Sequence, residues 1–247
     1  WNSGTCTIDK MIIASGSTVS ISSGITVMFT GTISNSGTIS NSGTINNSGG
    51  IINVSNTAGT GINNSATGTI NNNSGGIINV SNTAGTGINN SATGTINNNS
   101  GGIINVINSG GIGINNAVNG IFNNLSNGTI VVSDTAGNDI SNSGTINNSG
   151  TINNSGTINN SGTINHIFST ATYSGVGTFT NTGTIAIRGT ISSNVDLSTL
   201  GYPVGITAFS ILSGNTLTIN SSFALTIPSG YTINNSGTLS NSGTLSN

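Results

Sequence analysis

Charged residues are nearly absent from this sequence. Only 2% of its 247 residues are charged, with two Lys or Arg and four Asp or Glu, and the formal net charge is −2. Soluble proteins usually carry about 25% charged residues. Because the chain has no basic patch, it lacks the electrostatic surface that attracts nucleic acid, and we expect no nucleic-acid partner.

Long apolar runs and cysteines are also scarce. No apolar run approaches the roughly 20 residues that cross a bilayer as a helix, so we expect no membrane insertion. The single cysteine, Cys6, cannot form a disulfide within the chain, which excludes a disulfide-stapled scaffold. Polar low-complexity composition would suit disorder, but an Ile, Leu or Val recurs at almost every repeat. Disordered chains lack that regular apolar supply.

Repeats fill most of the sequence. A six-residue phrase, S-G-T-I-x-N, occurs at 36–48, at 143–165 and, with Leu for Ile, at 236–247. A 26-residue block at 50–75 recurs without change at 76–101, and a degraded copy starts at Gly102. Repeats of this length indicate a stacked, quasi-one-dimensional architecture.

Each repeat predicts a short strand and a corner. T-I-N is polar, apolar, polar, which is strand alternation, whereas N-S-G is turn chemistry because Asn and Gly tolerate positive φ. One such strand cannot bury its Ile, but stacked coils can. We therefore predict an all-β fold, a single β-solenoid of about ten roughly triangular coils, with 18–26 residues per coil and a length of about 50 Å. The handedness stays open.

Alternation also assigns the side chains. Thr is expected to point outward, and Asn at the corners to form hydrogen-bonded ladders between coils. On this pattern the three faces look alike. The predicted core isoleucines, each contributing about 2 kcal/mol when buried, are Ile39, Ile45, Ile70, Ile96, Ile146, Ile152, Ile158 and Ile164.

Four segments follow from the repeat boundaries. We expect entry coils and an assembly end at 1–35, the regular solenoid at 36–166, irregular coils at 167–235 and uncapped C-terminal repeats at 236–247.

The phrase SGTINNSGTINN, with the alternating entries TVSISSG (18–24) and LTIPSG (225–230), resembles the secreted β-solenoid repeat proteins of prokaryotic cell surfaces, which include adhesin-type and filament-forming chains. The period also resembles left-handed hexapeptide-repeat helices, but Gly stands two positions before the Ile, where those have a small side chain. The resemblance implies a secreted, extracellular or cell-surface protein with a structural or adhesive role. A start at Trp1 rather than Met is consistent with removal of a signal peptide and equally with a sequence cut from a longer chain.

Groups for catalysis are few. Asp134 and Asp139 form the one close pair of carboxylates and are interpreted as solvated corner residues, with a cation site as the sharper alternative. His166 lacks a nearby nucleophile and is interpreted as a surface or corner residue. We therefore expect no enzyme, no catalytic or metal residues and no cofactor. The first Asn of each N-N-S should face outward, which leaves glycan attachment there as an alternative.

The two ends carry the functional prediction. The sequence runs to Asn247 in mid-repeat, and an exposed coil offers unpaired backbone groups to another strand. Joining NSGTLSN to WNSGTCTI continues the repeat, so we expect copies to stack head to tail into an extracellular filament. The expected interface residues are Trp1, Asn2, Cys6, Ile8, Leu239, Leu245 and Asn247.

Two of these residues also have an interpretation that does not involve assembly. Trp1 is either an anchor or a frayed terminus, and Cys6 is either a small buried apolar residue or an intermolecular cross-link. Asp9 and Lys10 lie near the same end. The alternative function is a surface adhesin or an ice- or carbohydrate-binding module. With so little to titrate, the assembly should hardly respond to pH or salt.

Overall fold

A computed structural model describes residues 4–55, 58–81, 84–107, 110–133, 137–168, 171–174, 178–203 and 205–247. These residues form parallel strands, one 3₁₀ turn and no α-helix. The strands wind into a β-solenoid of about ten coils, which confirms the predicted fold class.

The strands of the first half of the chain are Gly4–Ile13 (β1), Thr18–Ile21 (β2), Ile25–Asn35 (β3), Thr38–Asn41 (β4), Thr44–Asn47 (β5), Ile51–Val54 (β6), Thr60–Asn64 (β7), Thr69–Asn72 (β8), Ile77–Val80 (β9), Thr86–Asn90 (β10), Thr95–Asn98 (β11), Ile103–Val106 (β12), Ile112–Asn116 (β13), Ile121–Asn124 (β14) and Thr129–Val132 (β15).

Those of the second half are Asn138–Asn142 (β16), Thr145–Asn148 (β17), Thr151–Asn154 (β18), Thr157–Asn160 (β19), Thr163–Phe168 (β20), Thr172–Ser174 (β21), Thr178–Asn181 (β22), Thr184–Ile191 (β23), Val195–Asp196 (β24), Ala208–Ile211 (β25), Thr216–Ile219 (β26), Ala224–Thr226 (β27), Thr232–Asn235 (β28), Thr238–Asn241 (β29) and Thr244–Ser246 (β30), with the 3₁₀ turn at Leu197–Thr199.

The strands stack in three columns, one strand of each coil per column. The first column contains β5, β8, β11, β14, β17 and β20, the second contains β6, β9, β12, β15 and β18, and the third contains β4, β7, β10, β13, β16 and β19. The long strands β1 and β3 each serve the first and second columns. In-register partners are 26 residues apart in the repeated blocks and 18 apart in the tightest coil.

Isoleucines fill the interior because they alternate with outward residues. All eight isoleucines of the predicted core are between 0 and 3% exposed. Each pairs in register with an apolar residue one coil away, as Ile70 does with Ile45 and Ile96. The core is therefore one continuous set of aliphatic stacks.

In the first and third columns of the regular coils, a second inward residue stands two positions after the inward apolar residue, and it is a buried asparagine. In the first column, Asn47 donates to Asn72, Asn72 to Asn98, and so on to Asn148, and a matching ladder in the third column runs from Asn41 to Asn181. The Nδ2–Oδ1 distances are 2.6–2.9 Å. The expected ladders therefore exist, but they lie inside the solenoid.

Outward asparagines form a second ladder that runs the other way. On the first column, Asn71 donates to Asn46 of the preceding coil, and the series continues to Asn165 at 2.7–2.8 Å. The inner amides instead donate to the following coil. Each coil is thus joined to its neighbours by amide dipoles of both directions as well as by its backbone.

Corner glycines of the six-residue repeat are needed for close approach. A Cβ on Gly162 would collide with the carbonyl oxygen of Gly144 one coil earlier. Neither glycine has positive φ, so the expected turn conformation is wrong at these corners. Positive φ occurs instead in the enlarged corners of the 26-residue blocks, as at Gly75.

Replacing Asn98 by Val should test the inner ladder, because Val is the residue that the second column has at this position, as at Val106. The change removes the acceptor of Asn72 and the donor to Asn124. Buried polar groups without a partner are costly, so we expect a loss of about 2 kcal/mol, measured by urea unfolding.

Asn97→Val is the matched control. Asn97 bonds to Asn71 in the outer, part-buried ladder, where water can replace a lost partner, so the cost should stay below about 1 kcal/mol. Equal losses for the two variants would contradict a special role for the buried ladder.

Candidate functional site: the two ends of the solenoid

The coil from β28 to β30 keeps the side-chain pattern of an interior coil, but its inward residues are not covered by any of the described residues. Its inward apolar residues are Ile233 and Leu239, which are half-buried, and Leu245, which is 40% exposed. Asn235 and Asn241 are exposed, whereas the corresponding inner asparagines of the ladders are buried. A further coil would therefore bury the same groups that neighbouring coils bury elsewhere.

The amides of this coil already have interior geometry. Asn235 and Asn241 accept hydrogen bonds from the backbone N–H groups of Gly237 and Gly243 at 3.1 and 2.9 Å, as Asn35 does from Gly37 at 3.1 Å inside the solenoid. The corner glycines fix the amide oxygens, which leaves the amide nitrogens as the groups to pair with a following coil.

The N-terminal end is an apolar cross-section. Cys6, Ile8, Met11 and Val19 of β1 and β2 point inward and are half-buried. Cys6, Ile8 and Val19 border a cavity of about 230 Å³, which is also lined by Ser20, Ile21, Ser22, Ile25 and Val27. Among the described residues of the first coil there is no inward amide: Ile8 and Ile21 occupy positions that ladder asparagines hold later, and Ile13 precedes Asn35 in register.

The two inner ladders begin where an asparagine follows an apolar residue. Asn41 follows Ile21 in register and Asn47 follows Phe29. The Oδ1 atoms of both asparagines are buried and accept no hydrogen bond from the described residues. Each ladder therefore starts with an unsatisfied acceptor beneath an apolar side chain, which is energetically unfavourable.

The predicted interface residues divide between the two ends. Cys6 is a free thiol, half-buried and in register with Val27, and Ile8 lies two residues on. Leu239, Leu245 and Asn247 belong to the other end, with Asn247 exposed. Trp1 and Asn2 lie outside the described residues. The fold itself brings no residue of one end near the other, since the whole stack lies between them.

Of the two aspartates interpreted as solvated corner residues, Asp139 is not solvated. It is fully buried, and its Oδ2 accepts a hydrogen bond from the Thr157 backbone N–H at 2.7 Å. It lies one position before the inward Ile140, in the column position where Gly113 stands one coil earlier. Asp134 lies outside the described residues. Among the residues that are described, no three His, Cys, Asp or Glu side chains meet to hold a metal ion.

His166 was also expected at the surface and is instead 2% exposed. It follows Asn148 in register, so it occupies a ladder position. Burial lowers its pKa from 6.5 to about 4, and its Nδ1 has no hydrogen-bond partner within the described residues. Sequence reasoning missed this because TINHIF reads as the end of a strand, while β20 continues to Phe168.

An aromatic cluster surrounds His166, and the sequence analysis did not identify it. Tyr202 stacks on Tyr173 with ring centroids 4.7 Å apart and meets His166 at 5.9 Å. Phe168, Phe179 and Phe209 complete the cluster. Burial raises the pKa of both tyrosines. The available signal was the concentration of aromatic residues between 166 and 209 in a chain with 4% aromatics.

The cluster ends the inner ladder of the first column, where His166 follows Asn148 in register. In the second column, Asn154 follows Val132 and donates to the Tyr173 hydroxyl at 3.0 Å. Next to it lies a cavity of about 150 Å³, lined by His166, Phe168, Ala171, Thr190, Ile191, Ser192, Ser193, Val195 and Leu200. This region joins the regular coils to the C-terminal coils by packing of rings rather than by repeated amides.

Comparison with known protein families, with curated proteins and with solved structures found no match. Within the described residues, no helix has the length and apolar character needed to cross a membrane.

Buried His166 should make stability depend on pH, contrary to the expectation of a pH-insensitive assembly. The unfolded chain binds a proton below pH 6.5, whereas the folded chain binds it only near pH 4. Stability is therefore complete above pH 6.5 and falls as the pH drops toward 4, by about 3 kcal/mol. Urea unfolding between pH 7.5 and 4 measures the effect.

His166→Asn provides the control, because it restores the residue found at Asn148 in the preceding coil. The variant should lose the slope between pH 6.5 and 4.5 while keeping any slope from carboxylates at lower pH. A slope that survives the substitution would assign the pH dependence to another group.

Proposed function

We propose that this protein is the structural subunit of an extracellular filament, in which chains stack head to tail through their open solenoid ends. The observation that carries the proposal is the coil from β28 to β30, whose inward side chains have interior hydrogen-bond geometry and yet are partly or fully exposed among the described residues. The filament needs no cofactor and no enzyme activity, and its partner is another copy of the same chain.

The order of winding is compatible with a continuous stack across the joint. β28 continues the first column through β25 and β23, so in the proposed stack it would lie over the first half of β1. β29 would then lie over the second half of β1, and β30 over β2. Ile233 would then meet Cys6, Leu239 would meet Met11, and Leu245 would meet Val19. Because the last coil finishes on the third column and the first coil starts on the first, the second chain continues the winding.

The amides at the joint also have a precedent inside the chain. Stacking would place Asn235 and Asn241 before Ile8 and Ile13, that is, an amide before an aliphatic residue. Asn35 and Val54 already form this step in the second column, where Asn35 donates to the Gly61 carbonyl at 2.7 Å instead. The amides of the last coil can use carbonyls of the next chain in the same way.

Ladder direction favours one mode of stacking. Inner amides donate toward the following coil throughout the first and third columns. Two C-terminal ends facing each other would oppose donors to donors, and two N-terminal ends would supply none. Only the C-terminal coil of one chain on the N-terminal coil of the next keeps the direction, so the assembly is open and polar.

The extracellular assignment rests on composition and resemblance. Six charged residues in 247 suit a fibre held by aliphatic burial and amide ladders, and the repeat resembles secreted cell-surface solenoids. Outward asparagines would be glycan acceptors in a host that glycosylates N-N-S, but their amides are largely engaged in the outer ladder. Exposed Asn234 is the acceptor with the best access.

A binding module is the second candidate. Outward Thr44, Thr69 and Thr95 stand in register on the first column, beside an equally regular row of asparagines. Such a regular array of hydroxyls and amides could contact ice or a polysaccharide, and on a cell surface the second contact would make the protein an adhesin. Thermal hysteresis by single rods would favour this function over the filament.

The joint is tested by Leu239→Lys with Leu245→Lys. The wild-type protein should form thin fibres in negative-stain electron microscopy. The double variant should remain as short rods, with the concentration needed for fibres raised at least tenfold, because a charge buried at the joint is strongly unfavourable.

Ser240→Lys is the matched control, since Ser240 is the exposed, outward neighbour of Leu239 on β29. It should polymerise like the wild type. Rods alone in the wild-type sample would refute the filament, and fibres in the double variant would place the joint elsewhere.

A further inference from the structure

The outward side of the second column differs from the other two, although the sequence pattern predicts three similar faces. We call the outward residues of β6, β9, β12 and β15 the second face. Its leading row is Ile51, Ile77 and Ile103, in register on three successive coils. Ile51 and Ile103 are each 36% exposed. The corresponding row of the first column is Thr44, Thr69 and Thr95.

Further apolar residues lie near this row. Ile107 directly follows β12, Leu125 lies in the corner between β14 and β15, and both are exposed. In the fourth coil Thr129 follows Ile103, while Val131, outward on β15, lies in register with Asn105 of the adjacent Asn row. The second face thus has an aliphatic row over three coils and Val131 in the fourth, bordered by the ladder of Asn53, Asn79 and Asn105.

The interior of the same column differs as well. Val54, Val80, Val106 and Val132 occupy the positions where the other columns have buried asparagines. The 26-residue block therefore places aliphatic residues both inside and outside this column, whereas it keeps amides inside the first and third. Interior packing explains the valines but not the outward isoleucines, because these side chains do not belong to the buried core of the described residues.

From these observations, and resting on the filament proposed above, we infer that two filaments pair laterally through their second faces. The occupant of each face is the same face of another copy. No residue from 11 to 133 is charged, so two copies meet on this face without like-charge repulsion. A membrane surface would favour basic residues beside the apolar row, and this stretch of the chain has none.

The size of the patch explains why filaments rather than single subunits should pair. Four strands spaced about 4.8 Å apart and four residues long cover roughly 250 Å². Two such patches bury about half of the roughly 1,000 Å² that a stable interface needs. A single pair is therefore weak, but a filament repeats the patch in every subunit, and the contacts then act together.

The arrangement of rows also sets the relative direction of the two filaments. The Ile row lies on one side of the face and the Asn row on the other. Rotating one copy about an axis that lies in the face and across the rod brings Ile onto Ile and Asn onto Asn. Rotation about the rod axis brings Ile onto Asn. The self-complementary contact is the first, so the paired filaments run in opposite directions.

Ile51→Thr, Ile77→Thr and Ile103→Thr together test the inference, because Thr is the residue that the first column has at these positions. Wild-type filaments should appear paired or bundled in electron microscopy and pellet at low speed. The triple variant should form single filaments of normal length, with at least a tenfold smaller low-speed pellet.

The matched control is Ile112→Thr with Ile121→Thr. These changes remove outward aliphatic residues from β13 in the third column and β14 in the first column, so this variant should bundle normally.

An unchanged distribution of fibre widths in the triple variant, or an equal loss of the low-speed pellet in the control, would overturn the lateral contact.

Failure of the filament itself can be distinguished from failure of the face contact. If the wild type forms no fibres, sedimentation velocity at about 1 mM subunit tests the face alone, at a concentration where an interface of this size can associate. A dimer that the triple variant lacks would support the face contact, and a wild-type monomer would overturn it. Triple-variant filaments that stay bundled but lose binding to insoluble polysaccharide would assign the face to a sugar and also overturn the inference.

Discussion

The structure depends on one constraint: a buried asparagine must find the same amide at the same place one coil away. Asn98 accepts from Asn72 and donates to Asn124, at 2.9 Å in both cases, and all three side chains are fully buried. A slip of two residues, which keeps the same side chains inward, would bring the aliphatic Ile96 against the amide of Asn72 and leave buried donors and acceptors unpaired, at about 1–3 kcal/mol for each group. The ladders therefore fix the register, and register requires repetition. Corners are free to vary, which is why coils of 18 and 26 residues coexist.

The inner amide ladders are interrupted where a different kind of contact holds neighbouring coils together. At the N-terminal end, Ile21 and Phe29 stand where amides would be, and the Oδ1 atoms of Asn41 and Asn47 have no hydrogen-bond partner in the described part of the chain. Further along, His166 follows Asn148, and Tyr173 receives the hydrogen bond of Asn154. There, ring packing around Tyr202 replaces repeated amides. The regular coils are joined by contacts between like residues of neighbouring coils, whereas the region after His166 is joined to them by ring contacts that are not repeated along the chain.

This division explains how much the sequence could predict. Alternation in T-I-N-N was enough to predict strands, inward isoleucines such as Ile146 and coils of the observed length, because those properties are local and repeated. It did not show that the second Asn of the phrase points inward, because the pattern reads equally well as a corner. In G-I-I-N-V two adjacent isoleucines compete for the core, and only the register reveals that Ile52 is buried while Ile51 faces out. Asp139 and His166 were misplaced for a related reason: their burial is decided by coils far away in sequence.

Near-absence of charge leaves specificity to geometry. Many interfaces select partners by charge complementarity, but this chain has almost no charge to use. Unpaired amides can supply the same discrimination, since a wrong register buries a polar group without a partner and is penalised each time it occurs. The free-energy cost of a wrong register is multiplied by the number of coils in contact, so many small costs together enforce one register along the rod. The same requirement for register applies to any coil that is added to an end. The amide nitrogens of Asn235 and Asn241 can donate only to a neighbouring coil whose backbone carbonyls stand in register with them. A charge-poor solenoid can thus be selective about what it stacks on without a dedicated recognition site.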